Sequence, residues 1–454
     1  MSMKQYEAYK DSGIQWLGKI PSHWAVTPLK FNLSLKGRIG WNGLKSDEFK
    51  EESYAYLVTG QDFVGKDIDW KSCYQIDQAR YDEDPFIQLS DGDLLVTKDG
   101  TIGKIARVLN LDKPACLNSG IFVVKQITGV YNQDYLYWTL VSSQLSEFNL
   151  YMSTGSTIQH LYQNVFENMP LIVPPLAEQE VIAAYLDLKV GQIDAILSEK
   201  EAMVEQLQQY RKSLISETVT RGLNPDAPMK DSGIDWIGQI PAHWHLVKLK
   251  SIAKVNGRIG YRGYTTEDLV HDGNGAYAIG GKHISKCVLD LSQPDFISWE
   301  KYYESPEIMV KKGDLLMAQR GSLGKVALVR DNIGEATINP SLVLINNLKI
   351  GDVFLYYYLV SNSCLTYIQL LNTATAVPMI SQNQIENLFV LVPPVVEQHA
   401  ISEFLDKKTK ELDTTISELH SQIGDLKAYK SSVITEAVTG KVDLRDWKPS
   451  EDNA

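Results

Sequence analysis

The sequence predicts an α+β protein built twice: two similar α/β domains separated by two long antiparallel coiled-coil helices, with a pseudo-two-fold internal repeat. Three observations predict it. The first is the repeat itself. KDSGIQWLGKIPSHW at 10–24 returns as KDSGIDWIGQIPAHW at 230–244, and GRIGW at 37–41 returns as GRIGY at 257–261. GDLLVTKDGTIGK at 92–104 returns as GDLLMAQRGSLGK at 313–325, and IVPPLAEQ at 172–179 returns as LVPPVVEQ at 391–398. The offset stays between 219 and 221 residues, so single-residue insertions separate copies that are too long for solenoid units. The second is short β-rich runs punctuated by Gly, Asp, Asn and Pro. The third is a pair of heptad-patterned stretches without proline.

The elements follow in order. Residues 1–175 form the first domain. SYAYLVTG, PFIQL, GDLLVT, KIARVL and GIFVVK read as strands, and DYLYWTLVSSQLSEF at 134–148 reads as helix. The VPP at 173–175 closes this block, because proline interrupts a strand and suits a helix start. Residues 176–222 form the first long helix, with Leu186, Ile193, Leu207 and Leu214 on one register and Ile182, Ile196, Met203 and Tyr210 on the other. Residues 223–394 repeat the domain. Residues 395–441 repeat the helix, with Leu405, Leu412, Leu419, Leu426 and Val433 at sevens and Ile401, Ile416, Ile423 and Tyr429 flanking them. Residues 442–454 form a tail. At 1.5 Å per residue each helix is roughly 65 Å long. The matched seams predict antiparallel pairing; the alternative is two surface helices packed separately on their own domains.

Composition sets bounds. A length of 454 residues fits two large domains plus connecting elements. The hydrophobic share of 44% and charged share of 22% are those of an ordinary globular protein. Cys73, Cys116, Cys287 and Cys364 lie far apart without a CxxC pair, which argues against a zinc site or a disulfide framework and fits a reducing cytosol. No secretory signal and no membrane span are expected, so the expected setting is the cytoplasm. The net charge is −12, and more than half of the acid excess lies outside the two large blocks. An acidic chain with locally basic loops can contact phosphate, with modest nonspecific affinity when alone.

Catalytic signatures are missing. GTIGK and GSLGK have the wrong spacing for a phosphate loop, both PP pairs follow Val rather than forming an [ND]PPY box, and neither HExxH nor GxSxG occurs. The repeated His23-Trp24 and His243-Trp244 read as a packed corner. Glycine-rich loops carry more. In KGRIGWNG at 36–43, Lys36, Arg38 and Trp41 are candidate DNA contacts; in NGRIGYRG at 256–263 they are Arg258, Tyr261 and Arg262. Glycines admit a phosphate chain closely, Arg adds bidentate charge, and an aromatic packs on sugar or base. A tight turn with a solvated Arg is the alternative. In TKDGTIGK at 97–104 the candidates are Lys98, Thr101 and Lys104; in AQRGSLGK at 318–325 they are Gln319, Arg320, Ser322 and Lys325. Gln61-Asp62 in one copy becomes Lys282-His283 in the other, which makes Gln61, Lys282 and His283 candidates, and Gln159 and His160 of TGSTIQH face TATAVPM at 373–379. A shared frame with exchanged polar tips is what two domains reading different base sequences would show; neutral drift of surface residues is the alternative for each exchange.

These motifs carry a resemblance. The tandem KDSGIxWxGxIPxHW, the GDLL loop ending in GK, and VPPLAEQ/VPPVVEQ running into a heptad helix that ends SETVTRG/TEAVTGK closely resemble the specificity (S) subunit of Type I restriction–modification systems. The resemblance covers essentially the whole chain. It implies two target-recognition domains, each reading half of a split site in double-stranded DNA. It implies helices that hold the domains apart and dock two methyltransferase (M) subunits. It also implies no catalysis and no bound cofactor in this chain: S-adenosylmethionine serves the M subunits, and ATP and Mg2+ serve the restriction (R) subunits. The residues alone also allow a non-catalytic scaffold of duplicated α+β domains on a coiled coil.

Overall fold

The computed structural model describes residues 4–38, 44–152, 160–258, 260, 263–372 and 378–449. Two compact units emerge. One holds the residues up to Glu201 together with those from Ser421, and the other holds Ala202–His420. Each unit contains one copy of the domain and a segment of both long helices.

The first domain is built on a four-stranded sheet in the order Ile105–Arg107, Leu94–Thr97, Ile121–Gln126, Leu33–Gly37, with every neighbour antiparallel. Its two central strands are apolar on both sides of the pleat, as covered faces require. Leu94 and Val96 enter a core with the helices Gln133–Val141 and Ser143–Met152, while Leu95, Ile121 and Val123 enter a core with the second sheet. In that second sheet Ala115–Leu117 runs parallel to Ala55–Val58, which pairs antiparallel with Tyr74–Ile76. Fully burying each such side chain contributes about 1.5–3 kcal/mol.

The second domain repeats the plan within its own unit. Its four-stranded sheet runs Val326–Leu328, Leu315–Ala318, Leu342–Asn346, Lys254–Gly257. Leu315 and Met317 face one core, and Leu316 and Ala318 face the other. Ala336–Ile338 again runs parallel to Ala276–Ile279.

The EQ pair after each VPP explains the corner. Pro170–Val173 pairs with Ala25–Pro28, and two prolines later the helix Leu176–Arg221 begins. Trp24, fully buried, donates its indole N–H to Glu178 Oε2 at 3.0 Å, and His23 Nε2 lies 2.7 Å from Glu178 Oε1. Gln179 accepts from the Asn132 N–H at 2.7 Å and donates to the Pro174 carbonyl at 2.8 Å. Glu397 and Gln398 do the same work at the start of Val395–Val438: Trp244 donates to Glu397 at 2.9 Å, and Gln398 accepts from the Gly351 N–H at 2.8 Å. The far ends of the helices reach the same corners. Gly222 (φ +77°) lies against Trp244, and Gly440 (φ +71°) lies against Pro21 and Trp24. The tail then docks as well, with Val442 and Leu444 buried and the Asp443 N–H donating to the Lys4 carbonyl.

Within each unit the helix segments run antiparallel. In the first, Lys430 meets Asp194 at 2.6 Å and Lys200 donates to Gln422 at 2.7 Å. In the second, Arg211 meets Asp413 at 2.8 Å while Gly222 lies near Glu397. These exposed pairs fix register more than they add stability. The buried line is Leu186, Val190, Ile193, Leu197 and Val204, with Leu207 and Leu214 half-buried. On the second helix Leu405 and Ile423 are buried, and Leu412, Leu419 and Leu426 are half-buried. The second register expected from the sequence is corrected in part: Ile182, Ile401 and Ile423 are buried, but Ile196, Met203, Tyr210 and Tyr429 are exposed, and Val190, Leu197 and Val204 take the inner side.

Candidate nucleic-acid interface

Each domain opens a cleft at the same place, where the turn after the first strand of the small sheet meets the glycine loop of the large one. In the first domain the cleft has a volume of about 510 Å³ and is lined by Thr59–Gln61, Thr97, Asp99–Thr101, Lys104, Asn118, Phe49 and Tyr74. In the second it has about 380 Å³ and is lined by Gly280–Lys282, Asp295, Ala318, Arg320–Ser322, Asn339 and Ser341.

Two different side chains hold the equivalent turns. Asp62, buried, accepts from the Thr59 N–H at 2.6 Å and the Thr59 hydroxyl at 2.9 Å. His283, also buried, accepts at Nδ1 from the Gly280 N–H at 2.9 Å, which leaves Nε2–H to donate to the Gln293 carbonyl at 3.2 Å. His283 is therefore a turn-holder, and the expectation of a DNA contact there is corrected. The residue before each holder, Gln61 or Lys282, is exposed on the cleft wall.

The glycine loops close alike. The Thr97 N–H donates to the Lys104 carbonyl at 3.0 Å, and the Ala318 N–H donates to the Lys325 carbonyl at 2.8 Å. Gly324 has φ +75° and passes so near Leu365 that a Cβ would lie 2.7 Å from it. The structure thus brings Gln61, Thr101 and Lys104 together in one cleft, and Lys282, Arg320 and Ser322 together in the other. His160 joins the rim through its contact with the Asp99 carboxylate.

The paired arginines are elsewhere. Arg38 is 2% exposed; its Nε–H donates to the Leu117 carbonyl at 2.9 Å and its Nη2 to Cys116 Sγ at 3.4 Å. Arg258, 7% exposed, donates to the Ile338 carbonyl at 3.1 Å and the Thr337 hydroxyl at 3.0 Å. Both fasten the last carbonyl of the parallel strand to the large sheet. Burial pulls the Arg258 pKa down from its usual value. The expected phosphate contacts by Arg38 and Arg258 are corrected: these are structural tethers.

A model of the Type I restriction modification DNA specificity domain matches residues 50–206 and 241–423, which is more than half of the chain. The chain belongs to that family. Its members are the non-catalytic DNA-recognition subunits of Type I restriction–modification complexes, with duplicated recognition domains. It is 24% identical over 441 residues to the MjaVIII specificity subunit of Methanocaldococcus jannaschii, covering 94% of this chain and 95% of that one. It is 25% identical over 366 residues to the EcoBI specificity subunit of Escherichia coli, covering 78% and 74%. Among solved structures, a chain described under complex assembly and conformational transition of the type I R-M system matches with a TM-score of 0.71 at 15% identity, covering 93% of this chain and 99% of that one. The S subunit of Thermoanaerobacter tengcongensis matches at 0.51 and 16%, covering 93% and 98%.

The other candidate residues of this specificity subunit divide. Lys36 is exposed, with its ammonium 5.7 Å from the Phe86 ring centre. Lys98 is half-buried over Phe122, which lowers its pKa through desolvation, and it does not line the cleft. Gln319 turns inward and donates to the Pro340 carbonyl at 3.0 Å; this corrects its expected DNA contact. Lys325 is half-buried beside the second cleft. Trp41, Gln159, Tyr261 and Arg262 lie outside the described residues. Sequence reasoning missed Phe49 and Tyr74, whose rings stand 5.4 Å apart on the first cleft, and the equivalent Asn118 and Asn339. The asparagines had a signal: each follows a matched apolar strand in both copies. Among the described residues no group of His, Cys, Asp and Glu is arranged to hold a metal, and no helix is long and apolar enough to cross a membrane.

Proposed function

We propose that each domain reads one half of a bipartite, non-palindromic DNA site through its cleft rim. The paired helices set the gap and dock two methyltransferase subunits, which use S-adenosylmethionine; restriction subunits using ATP and Mg2+ complete the assembly in the cytoplasm. The observation that carries this reading is the pair of equivalent clefts with one backbone frame and unlike polar tips. Ile196, Met203 and Tyr210, left exposed outside the seam, support docking of partner helices. The net charge of −12 makes DNA affinity depend on those partners.

The test compares DNA affinity at fixed salt with and without methyltransferase subunits, followed by genome-wide mapping of methylated adenine. Tight specific binding by the chain alone would refute the dependence on partners. Exchanging block 26–170 for that of another family member should change one half of the motif; a change in both halves would refute modular reading. Four residues inserted into both helices beside the Lys200–Gln422 contact add roughly 6 Å, or one to two base pairs of gap. An unchanged gap in a complex that still methylates would refute the role of the helices.

A further inference from the structure

The polar tips of the two clefts differ in sign, and the difference falls on equivalent positions. Asp99 and Arg320 each precede a left-handed glycine, Gly100 (φ +68°) or Gly321 (φ +75°). Each is exposed, each forms an isolated antiparallel bridge (Asp99 with His160, Arg320 with Met379), and each lines its cleft. On the opposite wall Gln61 and Lys282 are likewise equivalent, exposed and unlike. At these two positions the first cleft offers a carboxylate and an amide, with the Lys104 ammonium also on its wall, and the second offers a guanidinium and an ammonium, with the Asp295 carboxylate beside them.

The local partners leave these groups usable. Arg320 makes no ion pair among the described residues. Lys282 pairs with Asp295 at 2.7 Å, but both side chains are more than a third exposed, so the pair is weak and easily exchanged for another acceptor. Asp99 meets His160 through Oδ1. Its second oxygen lies beside Gly120, which has no side chain to crowd it.

We propose that the domains read bases of opposite hydrogen-bond polarity: the second domain reads a guanine through Arg320, supported by Lys282, and the first reads an amino-bearing base, adenine or cytosine, through Gln61 and Asp99. This rests on the reading of the clefts as DNA-recognition sites. The chemistry follows from the major-groove edges. Guanine presents two acceptors, O6 and N7, which match a guanidinium fork and repel a carboxylate. Adenine presents N7 beside an amino group, which matches a glutamine amide, and the cytosine amino group matches a carboxylate. The target then has a required G·C pair in one half, with the guanine facing Arg320.

The experiment uses the chain assembled with its methyltransferase subunits. Methylated motifs are mapped for the unaltered complex and for Arg320→Gln and Arg320→Lys. The unaltered motif should contain an obligatory G·C pair in one half. Arg320→Gln should relax that position alone, with roughly a tenfold to hundredfold loss of preference for guanine. Arg320→Lys should keep a weaker preference, and the other half-site and the gap should stay the same. A second measurement needs no variant: 7-deazaguanine at that position removes the N7 acceptor and should weaken binding several-fold. A motif unchanged in Arg320→Gln, or unchanged affinity for the 7-deaza duplex, overturns the base assignment and leaves the recognition reading standing. A complex with no sequence requirement at all overturns the recognition reading itself.

Discussion

Replacing Arg38 by alanine should damage the fold before it touches DNA binding. The guanidinium is 2% exposed and donates to the Leu117 carbonyl and to Cys116 Sγ. A hydrogen bond from a charged group contributes about 1.5–3 kcal/mol. The buried aliphatic stem adds about 0.8 kcal/mol per methylene. Arg38 Nη1 has no partner among the described residues, so removing the charge returns part of its desolvation penalty. The net expectation is a loss of about 3–5 kcal/mol, or a fall of roughly 6–20 °C in Tm for a unit of this size. Arg38→Met fills the stem and removes the charge, so it should cost less than Arg38→Ala. Calorimetry of the full chain measures both. Lys104→Ala is the control: it is exposed in the cleft, so its Tm should hold while DNA binding with partner subunits loses about one unit of salt slope. An Arg38→Ala chain that melts normally but shows the reduced salt slope would refute the tether.

Asp62→Ala and His283→Ala should each lower stability by about 1–3 kcal/mol through loss of the turn bond, while Gln61→Ala and Lys282→Ala leave the melting curve in place; equal melting of all four would refute the division into holders and tips. Gly440→Ala should destabilise more than Gly222→Ala, because its Cβ would lie 2.4 Å from Pro21 whereas that of Gly222 would lie 3.2 Å from Trp244; left-handed strain alone costs about 1–2 kcal/mol, and chemical denaturation ranks the two. Cys287, half-buried, should react with a thiol reagent first. Cys116 and Cys364 are buried with thiols pushed up to about 11 and about 12, so at pH 8 they should react only on unfolding; rapid labelling of all four cysteines in the folded chain would contradict this packing.

The repeat and the two-sided apolar strands were legible because both depend on local pattern. A run such as Leu94-Leu95-Val96 must have cover on both faces, and the small sheet and the helices supply it. The fate of Arg38 was not legible. Gly37 ends a strand, and nothing in GRIG says that a long side chain turns between two sheets to cap a carbonyl 79 residues away. The period of the seam and its leucine register were legible, but the phase of the flanking register was not. Ile196 and Leu197 are adjacent apolar residues, and only the partner helix decides that Leu197 goes inside. In the clefts, the exchange of Gln61-Asp62 for Lys282-His283 was visible, but its division of labour was not. Backbone geometry makes the second member of each pair a structural part and leaves the first free to vary.

That separation bears on how such a molecule changes over generations. The glycine loops are closed by their own backbone, Thr97 to Lys104 and Ala318 to Lys325, so their rims do not hold the protein together. Exposed substitutions of this kind usually shift stability by less than about 0.5 kcal/mol. New rim chemistry can therefore be sampled one residue at a time without passing through a misfolded ancestor. The duplicated plan also lets one domain drift while its sibling keeps its own preference, so a lineage can acquire a new address for its DNA chemistry by altering a few atoms at one rim.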